Sequence, residues 1–366
     1  MSGIILHEWL AATGGSENVF EVLSGIFPDA QRWCLWDDSS GRFPGVNETV
    51  LARTVLRRSK VLALPAMPLV WRHLPAAEAD WVLCSSHLFA HHAKFAGPAG
   101  DAPKYVYAHT PARYIWVPEL DGRGGGLSSR VASAALRPID RRRAQEAVSI
   151  AANSRFIAKR IADTWHRESI VIYPPVDVLG FLEVANDLTD ADQATLDALP
   201  KDFLLGVSRF VPYKRLDAAI KAGEASGLPV VLAGSGPDEE SLRQRAAESS
   251  VPVVVLHRPS SALLKALFRA AKALVFAPIE DFSIIPVEAM ASGTPVIANA
   301  VGGAAESVVD GVTGAHVYDW SRSELASAVE TIDGLRAEDC VARAKRFGTD
   351  VFVDAVKEWI PRSQTE

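Results

Sequence analysis

The second half of the chain repeats one pattern: a short apolar run, a turn, then a stretch with helical spacing. Apolar runs at 203–207, 229–233, 251–256, 273–276 and 295–298 alternate with helical patterns at 216–225, 239–247, 260–271 and 286–291. Strands separated by helices predict parallel βαβ units. Helices then cover both faces of the sheet, so its strands read as unbroken apolar runs. The first half carries the same rhythm at 4–6, 31–36, 81–84, 105–108, 149–152 and 170–172. Pro174 and Pro175 follow the last of these runs. Proline fixes φ and donates nothing to a ladder, so a strand stops there. The 366 residues exceed one ordinary core and fit two domains. We read 1–174 as the first and 175–348 as the second, both doubly wound α/β. The polar stretch 187–202 reads as loop or weak helix, and 121–126 as a mobile Gly-rich loop.

Composition narrows the class. Hydrophobic residues make up 48% and charged residues 22%, the balance of a globular protein in water. Cys34, Cys84 and Cys340 are sparse and unclustered, which fits a reducing cytosol and excludes a Cys-based metal site. No apolar run reaches the roughly 18–20 residues that span a bilayer. No basic stretch with an apolar run behind it marks a signal peptide. Charge is uneven: residues 1–174 carry 20 Lys+Arg against 16 Asp+Glu, and the rest 18 against 28. Two basic clusters lie in the first half: Arg53, Arg57, Arg58 and Lys60, then Arg137, Arg141, Arg142 and Arg143. Solvated helix faces explain such clusters, and so does attraction to an anionic membrane.

The strongest local signal is Glu280-Asp-Phe282-Ser283-Ile284-Ile285-Pro286-Val-Glu288, directly after the run 273–276. Pro286 fits the first turn of a helix, where a missing N–H costs nothing. We place Glu288 inside that turn and Glu280 in the loop before it. A helix N-terminus at the carboxyl edge of a parallel sheet is an anion site, and ligands of open α/β sheets bind at that edge. The backbone of Phe282, Ser283, Ile284 and Ile285 therefore suits a phosphate. The flanking carboxylates suit sugar hydroxyls, although Glu288 also fits a plain dipole-stabilising role. Arg209 and Lys214 follow the run 203–207 on the same edge; guanidinium and ammonium there suit a pyrophosphate. Gly234-Ser-Gly236-Pro237 and Gly302-Gly303 are further turns after strands.

In the first half, Gly14 and Gly15 sit between an apolar strand and a helix start. His109 ends the run 105–108, a position for ligand contact or for a structural hydrogen bond. His87, His91 and His92 lack a neighbouring carboxylate or Cys set in sequence, so we assign no metal. The phosphate loop of NTPases, the hydrolase Gly-x-Ser-x-Gly elbow and the dinucleotide GxGxxG are all absent.

Together these residues resemble the retaining glycosyltransferase family 4, of GT-B architecture. Glu280…Glu288 looks like its Glu-x7-Glu motif, Arg209 and Lys214 like its phosphate-binding pair, and 233–237 like its AGxGP turn. His7-Glu-Trp…Gly14-Gly15-Ser16-Glu17 is similar to its glycine loop, with Ser16 where Ala is usual. His109-Thr-Pro-x-Arg113-Tyr114-x-Trp116 resembles its mannosyltransferase branch, but Val117 stands where that branch has an acid. The resemblance implies two Rossmann-like domains facing across a cleft, with the last segment, 349–366, returning to the first domain. It implies that Arg209 and Lys214 hold the donor diphosphate, Glu280 the sugar and Glu288 the ribose. His257 and Arg258 would flank the base, and His109 the reacting carbon. Gly15 would lie near phosphate and acceptor, with Gly14, Arg113 and Tyr114 on the acceptor.

The function so implied is retaining transfer of mannose from GDP-mannose to a glycan or lipid-linked acceptor. His109, Glu280, Arg209 and Lys214 form the catalytic set. No DxD motif is placed for metal–diphosphate binding, so the reading has no metal, no cofactor beyond the donor and no nucleic-acid partner. It places the protein in the cytoplasm, peripheral to the inner face of an anionic plasma membrane. Alternatives are another GDP- or UDP-sugar, a sugar-nucleotide epimerase, and a catalytically silent nucleotide-sugar binder.

Overall fold

A computed structural model describes residues 2–117, 127–182 and 187–360, leaving the side chains of 127–132 aside. The chain divides into two compact units, Met1–Pro175 with Asp350–Glu366, and Val176–Thr349. The Gly-rich stretch 121–126 lies outside the described residues.

The first unit is built on a seven-stranded sheet. In chain order its strands are β1 (Gly3–His7), β2 (Gln31–Cys34), β3 (Asn47–Glu48), β4 (Trp81–Ser86), β5 (Lys104–Ala108), β6 (Ser149–Ala152) and β7 (Ile170–Val171). They lie in the order β7-β6-β5-β4-β1-β2-β3, and every neighbouring pair is parallel. Side chains alternate between two cores, as strand geometry requires. Ile4, Leu6, Val82, Cys84, Val106 and Ile150 enter one, with Trp36, Trp71 and Trp165. Ile5, Leu83, Tyr107 and Ala151 enter the other. That second core is completed by Phe352, Val356 and Ile360, carried by or just after the C-terminal helix Thr349–Trp359. Trp359 of this helix donates its indole N–H to Ser149 Oγ at 2.7 Å.

The second unit holds six parallel strands: β8 (Leu204–Arg209), β9 (Val230–Ser235), β10 (Val253–His257), β11 (Ala273–Phe276), β12 (Val296–Asn299) and β13 (Gly314–Val317). Their order is β10-β9-β8-β11-β12-β13. Both sheets thus reverse direction beside their first strand, between β1 and β4 and between β8 and β11. Loops leaving those strands diverge and open a crevice at the carboxyl edge. In the second unit β8 and β11 pair only through Leu204–Ala273 and Leu205–Leu274, so the rest of β8 runs on without ladder pairing on that side.

Of the two alternatives for 187–202 the helical one holds: the stretch contains the helix Asp190–Asp197, started by a reciprocal capping box of Thr189 and Asp192. Two local expectations change. The strand expected at 31–36 ends at Cys34, although the Leu35 N–H still bonds the carbonyl of Glu8, the residue after β1. The helix of the Glu motif begins at Ile284 with Ser283 as its N-cap, so Pro286 is its third residue and Glu288 starts the second turn, not the first. No helix among the described residues is long and apolar enough to cross a membrane.

Candidate functional site

In the second unit the charged residues converge at the reversal point. Arg209 closes β8, and Lys214 closes a 3₁₀ turn, Pro212–Lys214, just beyond it. Glu280 lies in the loop after β11. Lys214 Nζ donates to Glu280 Oε1, and both side chains are mostly buried. The Ser283 hydroxyl donates to Glu280 Oε2 at 2.8 Å. Ser283 therefore does not cap the helix Ile284–Ala291 with its side chain. A helix start left uncapped keeps outward N–H groups and partial positive charge for an anion. Arg209 is exposed and donates to the Tyr213 hydroxyl at 2.8 Å.

Glycines hold this loop in place. The Gly303 N–H donates to the Glu280 carbonyl at 2.7 Å. A Cβ on Gly303 would meet Asp281 O at 2.4 Å and Phe282 Cα at 2.5 Å. On the other side of β8, a Cβ on Gly234 would lie 1.9 Å from Ser208 O, and one on Gly236 2.3 Å from Phe210 O. Only glycine lets the turn after β9 lie against the end of β8.

Glu288 is one turn further along the helix and partly buried. Burial pushes its carboxyl up to about 7, and the charge of Asp177 adds to the effect. Phe282 stacks obliquely on Phe347, with ring centres 5.8 Å apart. His257 ends the edge strand β10 and its Nδ1 meets Glu239 Oε2 at 2.7 Å. Arg258 follows in a left-handed conformation, φ 47°, and donates to Ser235 Oγ at 3.3 Å. These two residues stand at the sheet edge, two strands from Arg209, and are not gathered with Glu280.

In the first unit three histidines meet at strand ends: His7 on β1, His87 after β4 and His109 after β5. The His7–His87 ring centres are 5.4 Å apart, and His109 is 6.1 and 6.3 Å from the two. Ser85 links the outer pair, its Oγ 3.0 Å from His7 Nδ1 and 2.9 Å from His109 Nε2. Burial holds His7 well below the usual imidazole range, with His87 and His109 adding repulsion. The same causes, with Lys60 and Arg113, take His87 down to about 3. At neutral pH both are neutral imidazoles, each with one donor and one acceptor. Such groups suit hydroxyls better than anions. Gly14 is the N-cap of the helix Gly15–Ile26, and a Cβ there would sit 2.0 Å from the Glu17 carboxylate.

Arg113 and Tyr114 lie on the short helix Arg113–Trp116. That helix hangs on Asp140, which sequence reading passed over. Asp140 Oδ2 accepts from the indole N–H groups of Trp116 and Trp165, each at 2.7 Å. His91 and His92 place Nε2 at 3.1 and 3.0 Å from Oδ1. The fold thus supplies the carboxylate that the local sequence around these histidines lacks. These three residues have metal-like spacing. Four side-chain nitrogens already surround the carboxylate, however, which makes it an anchor for the 113–116 segment. Glu8 does similar work: its buried Oε1 accepts from Leu88 N, Phe89 N and Ala90 N at 2.7–2.9 Å, fixing the turn that carries His87.

Residues 189–346 match the family model described as glycosyl transferases group 1. The chain is 37% identical over 214 residues to the D-inositol 3-phosphate glycosyltransferase of Mycolicibacterium smegmatis, covering 54% of this chain and 48% of that protein. It is 29% identical over 206 residues to the alpha-1,3/1,6-mannosyltransferase alg-2 of Neurospora crassa, covering 45% of this chain and 44% of that one. The chain thus spans about half the length of the curated relatives it matches. Among solved structures it resembles Anabaena Alr3699/HepE in complex with UDP, with TM-score 0.70, 18% identity and 98% and 99% of the two chains covered. It also resembles the sucrose-phosphate synthase of Thermosynechococcus elongatus, with TM-score 0.69, 15% identity and 98% of each chain covered. The chain therefore has the GT-B fold, and residues 189–346 of its second unit match the model of group 1 glycosyl transferases.

Proposed function

We propose that the protein is a retaining, metal-independent glycosyltransferase that moves mannose from GDP-mannose to a glycan or lipid-linked acceptor at the cytoplasmic face of a membrane. One observation carries the reading: Lys214 pairs with Glu280 just before an uncapped helix N-terminus at the reversal point of the second sheet, where Arg209 ends the adjoining strand. Two cations and a helix start make a diphosphate site, and a carboxylate beside them makes a sugar site. The segment 189–346 that matches the group 1 family spans all of these residues.

In this reading the diphosphate lies on Arg209, Lys214 and the N–H groups at Ile284 and Ile285. Lys214 then divides its charge between Glu280 and phosphate, and Glu280 accepts hydroxyls of the sugar. Glu288 accepts the ribose hydroxyls. The bond from the anomeric carbon to the phosphate oxygen breaks, and its electron pair leaves with the diphosphate. Preorganised positive groups stabilise that developing charge. The acceptor oxygen bonds the same face of the sugar, and its proton passes to the departing phosphate oxygen. His109 is the proposed sugar contact of the first unit, with Gly14, Gly15, Arg113 and Tyr114 on the acceptor.

The mannosyl donor is supported by the 109–116 segment and by the likeness to alg-2. A second reading, a UDP-sugar donor, is supported by the likeness to HepE, which was solved with UDP and with UDP-glucose. Proton NMR of the purified enzyme with GDP-mannose and a lipid extract tests the proposal. An α-linked product with release of GDP supports it. Turnover of UDP-glucose alone moves the donor to the second reading, and binding without turnover of any donor leaves a silent nucleotide-sugar binder.

A further inference from the structure

Residues 50–72 fold as four short helical turns, Val50–Arg53, Val55–Arg58, Lys60–Ala63 and Met67–Arg72. Their inner side is anchored by Leu51, Ala63, Met67 and Trp71, all buried in the first unit's core. The outer side of such turns ordinarily carries Lys, Glu or Ser. Here it carries Val50, Val55, Val61, Leu62 and Leu69, which are 64–77% exposed. Elsewhere among the described residues only Leu179 and Tyr318 reach that range.

The charge around these side chains has one sign. No acidic residue occurs between Glu48 and Glu78, while Arg53, Arg57, Arg58, Lys60 and Arg72 do. Arg57 is held by Asp38, and Arg72 by Glu146. Arg53 and Arg58 are exposed and form no ion pair with a described residue. In the other basic cluster Arg142 is exposed, but its three companions are spent differently. Arg137 donates to Ile115 O, Arg141 to Thr164 O and Arg143 to Glu146, all within the fold.

We infer that residues 50–69 form a surface that docks on an anionic lipid bilayer. Exposed aliphatic side chains beside the exposed cations Arg53 and Arg58 match the acyl boundary and the phosphate layer of such a bilayer together. The surface also leads to the histidine cluster: Lys60 Nζ lies 4.2 Å over the Trp9 ring, which meets His87 edge-on at 4.8 Å. A lipid-linked acceptor held by the bilayer is then presented beside the strand ends of the first unit. That last step rests on the transferase reading; the docking surface does not.

The test is co-sedimentation of the full chain with phosphatidylcholine vesicles, with and without phosphatidylglycerol. Wild type should pellet with the anionic vesicles. The variant Val55→Asn, Val61→Asn, Leu62→Asn and the variant Arg53→Glu, Arg58→Glu should each lose about tenfold in vesicle affinity. Both should keep the wild-type melting temperature, since the changed side chains are exposed. Wild-type protein that ignores anionic vesicles, or variants that pellet equally well, would overturn the inference. So would a wild-type dimer that the aliphatic variant converts to monomer with vesicle binding unchanged, because the face would then join two copies. Vesicle binding lost in both variants, in a protein whose melting temperature no nucleotide sugar raises, supports the surface while removing the transferase reading.

Discussion

Lys214 pairs with Glu280 across 66 residues of sequence, tying the loop after β8 to the loop after β11. The pair holds a cation and a carboxylate side by side at the one place where the second sheet reverses. Its two members have different proposed partners, phosphate for the lysine and sugar hydroxyls for the glutamate. Lys214→Ala should lower kcat/KM by about 10²–10³, the usual effect of removing a group aimed at developing charge. Glu280→Gln should act mainly on kcat, because it keeps the shape and loses the charge. Steady-state kinetics of both variants, with thermal melts to confirm folding, check this.

Glu288 makes donor binding pH-dependent. Its carboxyl titrates near 7, and the ionised form is the better acceptor of two hydroxyls. Affinity for the nucleotide sugar should therefore fall as pH drops below about 7, and Glu288→Gln should bind more weakly with a flatter profile. The stability of the free protein runs the other way. The native carboxyl binds its proton more tightly than the unfolded one, so this group's contribution is full below the unfolded value of 4.5 and lost as pH rises through about 7. Calorimetric titrations from pH 5.5 to 8 separate the two trends.

The buried histidines oppose that trend. His87 is held at about 3 and His92 at about 4, mainly by burial, against 6.5 in the unfolded chain. Unfolding then takes up protons, and stability falls as pH drops below 6.5 toward those values. Each such histidine should add a slope of about 1.4 kcal/mol per pH unit. Urea melts of wild type and His87→Gln at pH 7, 6 and 5 should show the smaller slope in the variant.

Gly303→Ala tests the packing of the Glu280 loop. The added methyl meets the Asp281 carbonyl and Phe282 Cα, neither of which is a flexible side-chain end. The substitution should cost about 1–3 kcal/mol and weaken donor binding in the same variant. Gly311→Ala, where nothing lies within 4 Å but φ is 69°, separates conformational strain from collision. Only the Gly303 change should affect the nucleotide sugar.

The βαβ order was legible because strands covered on both faces have no polar register to confuse with anything else. Arg209, Lys214 and Glu280 were legible for the same reason: each follows an apolar run, where a parallel sheet places its ligand edge. Ser85, Glu8 and Asp140 were not. Ser85 closes a run of small and apolar residues and looks like filler. Glu8 looks like a surface charge until the turn at 88–90 wraps its oxygen. Asp140 sits among arginines, 24 residues from Trp116 and 48 from His92, and only the packing of the helix Leu127–Ala144 brings them together. That packing also uses Arg137 and Arg141, which read as a solvated face in sequence. The strand Gly314–Val317 was missed because four residues, one of them Gly, carry too little pattern.

The central claim is that the second unit binds a nucleotide sugar through Lys214. A thermal-shift panel of GDP-mannose, UDP-glucose and their free nucleotides, run on wild type and Lys214→Ala, tests it directly. A ligand that binds only the native state raises its melting temperature. The account predicts a clear rise with at least one nucleotide sugar, largest with GDP-mannose, and its loss in the variant. No rise with any of them at saturation, or an equal rise in both proteins, would contradict it.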